Sequence, residues 1–231
     1  MKDPSWKAPK RSQLAACIDH SLLGPLGSAA DVRRTCEEAL QERFAAVCVN
    51  GQHLPVALEV LQGSGIPVAV TIGFPLGACS AGTKAFEARE ALELGALELD
   101  MVLALGPLHA GEDHRVAEEV ATLASLCTPY KASLKVILET CLLSQAEMLR
   151  AIDLACGAGA HMLKTSTGFG SAGATREHVR LLRQHAPASV GVKAAGGIRT
   201  LADALGMLEA GATRLGCSAS LGILDELSAQ N

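Results

Sequence analysis

Two lysines and three carboxylates stand late in short apolar segments of the chain, where charged side chains are uncommon. They are Asp19, Asp100, Glu139, Lys164 and Lys193. A lysine attacks a carbonyl carbon only as the free amine, so its ordinary pKa of about 10.4 must fall to about 7, which requires roughly 4 to 5 kcal/mol. Burial and a second cation both lower the pKa of a lysine. These residue types therefore indicate imine chemistry, with one lysine as the nucleophile.

Lys164, in the run HMLKTSTG, is the candidate nucleophile, and Lys193, in VGVKAAG, is the candidate cation that lowers its pKa. Two other interpretations stay open. Lys193 could instead bind a phosphate group, because Gly196 and Gly197 follow it closely. The charged residues could also form a structural network of ion pairs, in which Glu139 is a charge partner or an acceptor for backbone N–H groups rather than a substrate contact.

The elements that must position these residues are short segments rich in Val, Ile, Leu and Ala, separated by amphipathic stretches with helical spacing. Near-continuous apolar character predicts parallel strands that are covered on both faces. The eight segments span residues 15–20, 45–50, 67–73, 96–104, 133–140, 161–167, 190–196 and 213–219. This alternation predicts an α/β fold with one domain, a closed (β/α)8 TIM barrel over residues 13–231 that follows an N-terminal arm at 1–12. An open doubly wound sheet would share much of the pattern.

The helix ends carry recognisable signals. Ser144 and Glu147 have the spacing of a capping box at a helix N-terminus. Gly95, Gly159 and Gly211 stand where a helix ends before the next strand, so we expect positive φ at all three glycines.

Barrel enzymes place their catalytic groups at the C-terminal ends of the strands. We therefore expect Asp19, Asp100, Lys164 and Lys193 to converge at that end of the barrel. Lys135 falls early in the fifth segment, so its side chain is expected at the opposite rim, and we exclude it from the site.

Glycine-rich steps follow the last two strand segments, at Gly196-Gly197 and at Gly216-Cys217-Ser218. Many barrels bind phosphate at this place through backbone N–H groups and a helix N-terminus. Simple tight turns would also use glycine. The pairing of the two steps favours a phosphorylated small molecule as the substrate.

The composition excludes several classes of protein. A formal net charge of −4 and 3% aromatic residues give neither a basic field nor stacking surfaces for nucleic acid. The sequence has no apolar stretch of the roughly 18 residues that a membrane span needs. The eight cysteines include no C-x-x-C pair, and the seven histidines have no metal-ligand spacing. We therefore expect a cytoplasmic protein that binds neither nucleic acid nor membranes, and no metal.

Several motifs resemble deoxyribose-phosphate aldolase of the short bacterial type, from about residue 13 to residue 222. They are IDHSLLGP, VCVN, TIGFPLG, FEAREAL, ELDMV, KVILETC, LKTSTGFG and VKAAGGIRT, with GCS near the end. The resemblance implies reversible cleavage of 2-deoxy-D-ribose 5-phosphate to D-glyceraldehyde 3-phosphate and acetaldehyde, a step in deoxynucleoside breakdown. It implies no metal and no organic cofactor, and dimers are usual in the family, so a homodimer is expected.

The resemblance also assigns roles. It implies that Lys164 forms the Schiff base, that Lys193 tunes its pKa, and that Asp100 is the general acid/base, acting through water. Asp19 would position Lys193 and a substrate hydroxyl. Cys48, in AAVCVN, is expected as a packed core thiol, but the resemblance places it near the carbonyl pocket, where an unsaturated aldehyde could alkylate it. The substrate and phosphate contacts implied are Thr167, Gly168, Gly196, Gly197, Gly216 and Ser218.

Four positions depart from the family pattern: Ser21 stands where Thr is frequent, Gly24 replaces a frequent Lys, Gly51 replaces a frequent Pro, and Ala219 stands where a second Ser is frequent. The final run SLGILDELSAQN also lacks the Tyr that assists enamine protonation in some relatives. Two alternative functions also stay open. A phosphosugar isomerase or epimerase would share the barrel and the phosphate loops but would use carboxylate or histidine bases. A non-catalytic phosphosugar-binding regulator would share the loops and would not need a neutral amine at Lys164.

Overall fold

Eight parallel strands form a closed barrel in chain order, so the predicted (β/α)8 fold is confirmed. The computed structural model describes residues 9–229. The ring closes because β1 pairs with both β2 and β8. The strands are β1 (Ile18–Leu22), β2 (Ala46–Val49), β3 (Val68–Ile72), β4 (Glu98–Val102), β5 (Ser133–Ile137), β6 (Met162–Lys164), β7 (Gly191–Ala195) and β8 (Arg214–Cys217). Each predicted segment overlaps one of them.

The helices surround the barrel and connect its strands. Those of the described residues are α1 (Arg11–Ala15), α2 (Ala29–Glu42), α3 (Leu54–Leu61), α4 (Ala81–Leu94), α5 (Leu105–His109), α6 (Asp113–Cys127), α7 (Gln145–Gly157), α8 (Arg176–His185), α9 (Leu201–Glu209) and α10 (Ser220–Ser228). The predicted helix ends are confirmed: Ser144 and Glu147 form a capping box, and Gly95, Gly159 and Gly211 have φ values of 116°, 96° and 107°. No helix in the described part of the chain is long and apolar enough to span a membrane.

The division into an N-terminal arm at 1–12 and a barrel domain from residue 13 stays a prediction. Residues 1–8 of the arm lie outside the described residues, and α1 begins inside it, at Arg11. The Arg11 guanidinium pairs with Glu42 at the end of α2 and with Asp225 in α10. It also donates a 2.9 Å hydrogen bond to the Ser228 hydroxyl, so Arg11 connects the first helix to the last one.

The strands separate two environments because their side chains alternate between the helices and the barrel interior. Outward-facing residues such as Val47, Leu99 and Val136 join the hydrophobic core beneath the helices. The interior, by contrast, contains charged side chains. Lys135 on β5 contacts Asp19 on β1, and these two strands lie on opposite sides of the ring, so their contact crosses the barrel interior.

Candidate active site

Lys164 and Lys193 lie side by side near the C-terminal end of the barrel. They are register partners on β6 and β7, and both amines contact one carboxylate oxygen of Asp100. The Lys164 Nζ–Asp100 Oδ2 distance is 2.8 Å and the Lys193 Nζ–Asp100 Oδ2 distance is 2.7 Å. Asp100 reaches them from the middle of β4 and is fully buried. The expected juxtaposition of two lysines and an acid is therefore present in the structure.

Asp19 forms the second branch of the same cluster. Its Oδ2 atom lies 2.5 Å from Lys193 Nζ and 2.9 Å from Lys135 Nζ. Its Oδ1 atom accepts a 2.6 Å hydrogen bond from Arg214 Nη1. Asp19 is fully buried, and such a carboxylate needs nearby cations to remain ionised. Asp19 therefore connects Lys193 through ion pairs to Lys135 and to Arg214, which stands at the N-terminal end of β8.

The exclusion of Lys135 was wrong. Its Nζ atom lies 3.0 Å from Asp100 Oδ1 and 2.5 Å from Glu98 Oε2, as well as close to Asp19. Lys135 is the register partner of Asp100, and its side chain points into the barrel, where the four-carbon stem brings the amine among the acids. The expected segment ran to residue 140, but β5 ends at Ile137, so Lys135 stands in the middle of the strand, level with Asp100, and not early in it.

Glu98 and Arg214 also belong to the cluster, and the sequence reasoning did not identify them. Both stand at the first position of their strands, at the end opposite to the one where catalytic groups are expected. Alternation was the signal that could have found Glu98, because it lies two residues before Asp100 and shares its inward face.

The electrostatics of the cluster favour ion pairs. Burial acts to raise the pKa of Asp100 and Asp19, but the surrounding cations outweigh it and hold the pKa of both carboxyls well below the usual range. Burial likewise acts to lower the pKa of Lys135 and Lys193, and the carboxylates outweigh it, so both pKa values lie above the usual one. Lys193 is therefore a cation at neutral pH, as its predicted role requires.

A cavity of about 430 Å³ opens above this cluster at the C-terminal end of the strands. Lys164 lines it, whereas Lys135 and Lys193 are fully buried below. The six residues expected to contact substrate and phosphate all line it: Thr167, Gly168, Gly196, Gly197, Gly216 and Ser218. Arg199, which the sequence analysis did not identify, is exposed and also lines this cavity. The cavity thus brings the residue expected to be the nucleophile together with the loops expected to bind phosphate.

Close approach of the loops after β6 and β7 requires glycine. A Cβ atom on Gly173 would lie 2.1 Å from the Gly196 carbonyl oxygen, and Gly196 itself has a φ of 84°. Gly168, in the loop after β6, has a φ of 89°. Glycine at these positions allows the backbone to line the cavity without side chains.

Glu139 stabilises the loop after β6. Its carboxylate accepts hydrogen bonds from the Thr167 hydroxyl and, at 3.3 Å, from the Thr167 backbone N–H. The Thr167 hydroxyl in turn accepts a 3.0 Å bond from the Phe169 N–H. Of the roles left open for Glu139, the structure supports that of an acceptor for a backbone N–H group. Glu139 follows β5 with a left-handed φ of 49°, a conformation that directs its side chain to this loop.

Cys48 and His20 lie near the cluster without joining its ion pairs. The Cys48 Sγ atom is 3.8 Å from Asp100 Oδ2 and is buried. Burial raises the pKa of the Cys48 thiol, which disfavours the thiolate that reacts with electrophiles. The His20 ring contacts the Ser220 hydroxyl at 2.9 Å and Glu38 at 2.7 Å, so it fixes the start of α10.

A larger cavity of about 790 Å³ lies between the N-terminus of α4 and helix α6. None of the interior lysines lines it. Beneath it, buried Lys84 is paired with Glu119 at 2.9 Å. The smaller cavity is therefore the candidate site, because Lys164 and the glycine-rich loops after β7 and β8 line it together.

Comparison with known proteins gives a consistent result. A protein-family model described as DeoC/LacD family aldolase matches residues 13–224. The deoxyribose-phosphate aldolase of Carboxydothermus hydrogenoformans is 46% identical, covering 94% of this chain and 96% of that protein. Among solved structures, the tetrameric deoxyribose phosphate aldolase of Aeropyrum pernix has a TM-score of 0.90 at 33% identity, covering 96% of this chain and 94% of that one. A protein titled QR15, an aldolase, has a TM-score of 0.88 at 37% identity, with 94% and 96% covered.

Proposed function

The chain belongs to the DeoC/LacD family of aldolases, and on that premise we propose that it cleaves 2-deoxy-D-ribose 5-phosphate reversibly to D-glyceraldehyde 3-phosphate and acetaldehyde through an imine on Lys164. It is a lyase. One observation supports Lys164 as the nucleophile above all others. Of the three lysines in the barrel interior, it is the one that lines the cavity, while Lys135 and Lys193 are fully buried.

Imine formation begins when the neutral Lys164 amine adds to the C1 aldehyde of the substrate. The resulting carbinolamine loses water and becomes a protonated imine, which can accept an electron pair. Lys193 remains an ammonium ion next to Lys164 and disfavours a second positive charge there. Asp100 contacts both amines at 2.7 to 2.8 Å, so it can move protons between the substrate and the lysines.

Carbon–carbon cleavage follows from the imine. Asp100, acting through water, removes the proton of the C3 hydroxyl, and the electrons of the C2–C3 bond flow into the protonated imine. D-Glyceraldehyde 3-phosphate leaves, and an enamine remains on Lys164. Protonation at C2 restores the imine, and addition of the water released earlier frees acetaldehyde and the amine. Protons and water balance over the cycle, and no cofactor takes part.

The other end of the cavity accounts for the phosphate. Gly196, Gly197, Gly216 and Ser218 line it near the start of α10, where their backbone N–H groups and the Ser218 hydroxyl would bind the phosphate, and Arg199 would add a cation. Arg199 offsets the absence of a lysine at position 24. This division of the cavity explains how binding of the phosphate positions the sugar aldehyde over Lys164.

The experiment that tests the proposal is reductive trapping. The protein is incubated with acetaldehyde, reduced with borohydride, and digested for peptide mass mapping. An ethyl group is expected on Lys164, and Lys84, which is fully buried and paired with Glu119 outside the barrel interior, serves as an internal control that stays unmodified. Lys164→Leu should abolish both trapping and cleavage. An unmodified Lys164, or an adduct on Lys135 or Lys193 in its place, would contradict the mechanism.

The alternatives are not favoured. An isomerase or epimerase, or a binding protein without activity, would give no borohydride-dependent adduct. A cytoplasmic location and a homodimer stay predictions from the sequence. The relative from Aeropyrum pernix is titled a tetramer, so light scattering of the purified chain is the measurement that decides its assembly.

A further inference from the structure

We propose that Arg214 and Glu98, at the N-terminal end of the barrel, are positioning residues that set the charge state of the Lys164 amine and thereby the pH at which imine formation becomes fast. The inference rests on the proposed function of Lys164 as nucleophile. It assigns a role to two residues that do not line the substrate cavity, so any effect on the reaction must pass through other side chains.

Arg214 and Glu98 close the lower end of the charged cluster. Arg214 Nη1 donates a 2.6 Å hydrogen bond to Asp19 Oδ1. Arg214 Nη2 lies 3.6 Å from Glu98 Oε1, and Glu98 Oε2 lies 2.5 Å from Lys135 Nζ. Their side chains are 20% and 10% exposed, so these charges lie at the edge of the barrel interior with little screening by solvent.

A continuous line of ion pairs joins them to the nucleophile. Arg214 contacts Asp19, Asp19 contacts Lys193, Lys193 contacts Asp100, and Asp100 contacts Lys164. The signs alternate along the line. A change of charge at Arg214 therefore alters the interactions of every charge up to Lys164, because buried charges interact strongly over this range.

The balance of charges in the cluster explains how Arg214 and Glu98 can affect the protonation of Lys164. Within the strands, which all lie in the described range, the cluster contains the cations Lys135, Lys164, Lys193 and Arg214 and the carboxylates Asp19, Glu98 and Asp100. Four cations face three anions. Arginine does not lose its proton, and burial of an uncompensated charge is unfavourable, so loss of the proton from the one amine that reaches the cavity balances the cluster.

Cys48 and Glu139 are titratable groups that lie outside these ion pairs. Cys48 on β2 is a neutral thiol at neutral pH, since burial raises its pKa. Glu139, which follows β5, directs its carboxylate to Thr167 instead of to the cluster. Neither group alters the excess of one cation over the paired carboxylates.

Substitutions at the two residues should act in opposite directions. Arg214→Met leaves three cations and three carboxylates, so Lys164 keeps its proton to higher pH. Glu98→Gln leaves four cations and two carboxylates, so Lys164 loses its proton at lower pH. A unit charge on the order of 10 Å away, at an effective dielectric constant of about 20, shifts the pH midpoint of the reaction by about one unit.

The test is the pH dependence of imine formation. Acetaldehyde is mixed rapidly with each variant between about pH 5 and pH 10 and quenched with borohydride, and the Lys164 adduct is quantified by peptide mass. The midpoint is expected to rise by about one pH unit in Arg214→Met, to fall by about one in Glu98→Gln, and to return close to the original value in the double variant. Arg214→Lys keeps the charge and should leave the midpoint unchanged. Arg33→Met, which removes an exposed arginine paired with Glu59, is the matched control for net charge.

Opposite shifts separate this role from a purely structural one. If both substitutions only loosened the barrel, the rates would fall together while the midpoints stayed in place, and that result would overturn the inference. Shifts in the same direction would do so as well. Thermal unfolding of each variant checks that the barrel is folded in the assay. Absence of a Lys164 adduct in the unaltered protein would instead contradict the proposed function, so the two failures are distinguishable.

Discussion

Replacing Lys135 by methionine should destabilise the fold strongly, although Lys135 is only one of several cations in the barrel. Its amine contacts Asp19 at 2.9 Å, Asp100 at 3.0 Å and Glu98 at 2.5 Å. Without it, Asp19 and Asp100 each keep two other cations, whereas Glu98 keeps only Arg214, at 3.6 Å. The substitution therefore leaves one poorly compensated carboxylate at the base of the barrel.

The size of the effect follows from this inventory. Removing one partner from a buried ion pair costs about 3 to 5 kcal/mol, a large fraction of the 5 to 15 kcal/mol that is typical of a folded domain. Methionine fills most of the volume of the lysine stem, so a cavity contributes little. In the Lys135→Met background, Glu98→Gln should recover about 1 to 3 kcal/mol, because it removes the carboxylate that lost its partner.

Urea unfolding at pH 7 measures these free energies. Lys131→Met is the control, because Lys131 is an exposed lysine just before β5, and its loss should change the free energy of unfolding by less than about 0.5 kcal/mol. If Lys135→Met were as mild as Lys131→Met, the ion pairs of Lys135 would not stabilise the fold. If Glu98→Gln gave no recovery, Glu98 would not be the carboxylate left uncompensated.

Three further predictions follow from the site and the core. Arg199→Ala should raise KM for 2-deoxyribose 5-phosphate about 10- to 100-fold and leave KM for unphosphorylated 2-deoxyribose unchanged, and equal changes for both would exclude a phosphate contact. Cations hold the pKa of Asp19 and Asp100 below the value in the unfolded chain, so the contribution of these carboxylates to stability is complete above about pH 5 and is lost as the pH falls. The urea midpoint should therefore decrease from pH 5 to pH 3, and a constant midpoint would contradict the ion pairs. Burial raises the pKa of three thiols to about 11, those of Cys36, Cys127 and Cys217. Unfolded thiols ionise near pH 8.5, so the urea midpoint should also decrease as the pH rises from about 9 to 11, and an increase would refute burial as the cause.

The barrel and its loops could be predicted from the sequence because local signals specify them. Strands buried on both faces are apolar at almost every position, and eight such segments alternate with amphipathic helices. The loop residues that line the cavity follow the last strands directly, so their place in the chain fixed their place in the fold. The start of β1 was misplaced because Ala15, although apolar, ends α1 and does not enter the strand.

The composition of the charged cluster could not be predicted in the same way. It depends on which side chains meet across the ring, and contacts such as the one between Lys135 and Asp19 join residues 116 positions apart. The direction of the Glu139 side chain depends on a left-handed backbone conformation. Such a conformation is uncommon for a residue other than glycine and cannot be predicted from the sequence. Arg199 was missed because a surface arginine becomes a site residue only through the shape of the cavity beside it.

Arg11 holds the first and the last described helices together. It connects α1 to α10 through Asp225 and Ser228, so the two ends of the described chain lie side by side. A short peptide linking these ends would allow the chain to be opened at another exposed connection, such as residues 63–65 after α3. Such a circular permutant would keep every strand between its present neighbours. The spatial order of the barrel is cyclic, and the point at which synthesis begins is only one of several that the same packing accommodates.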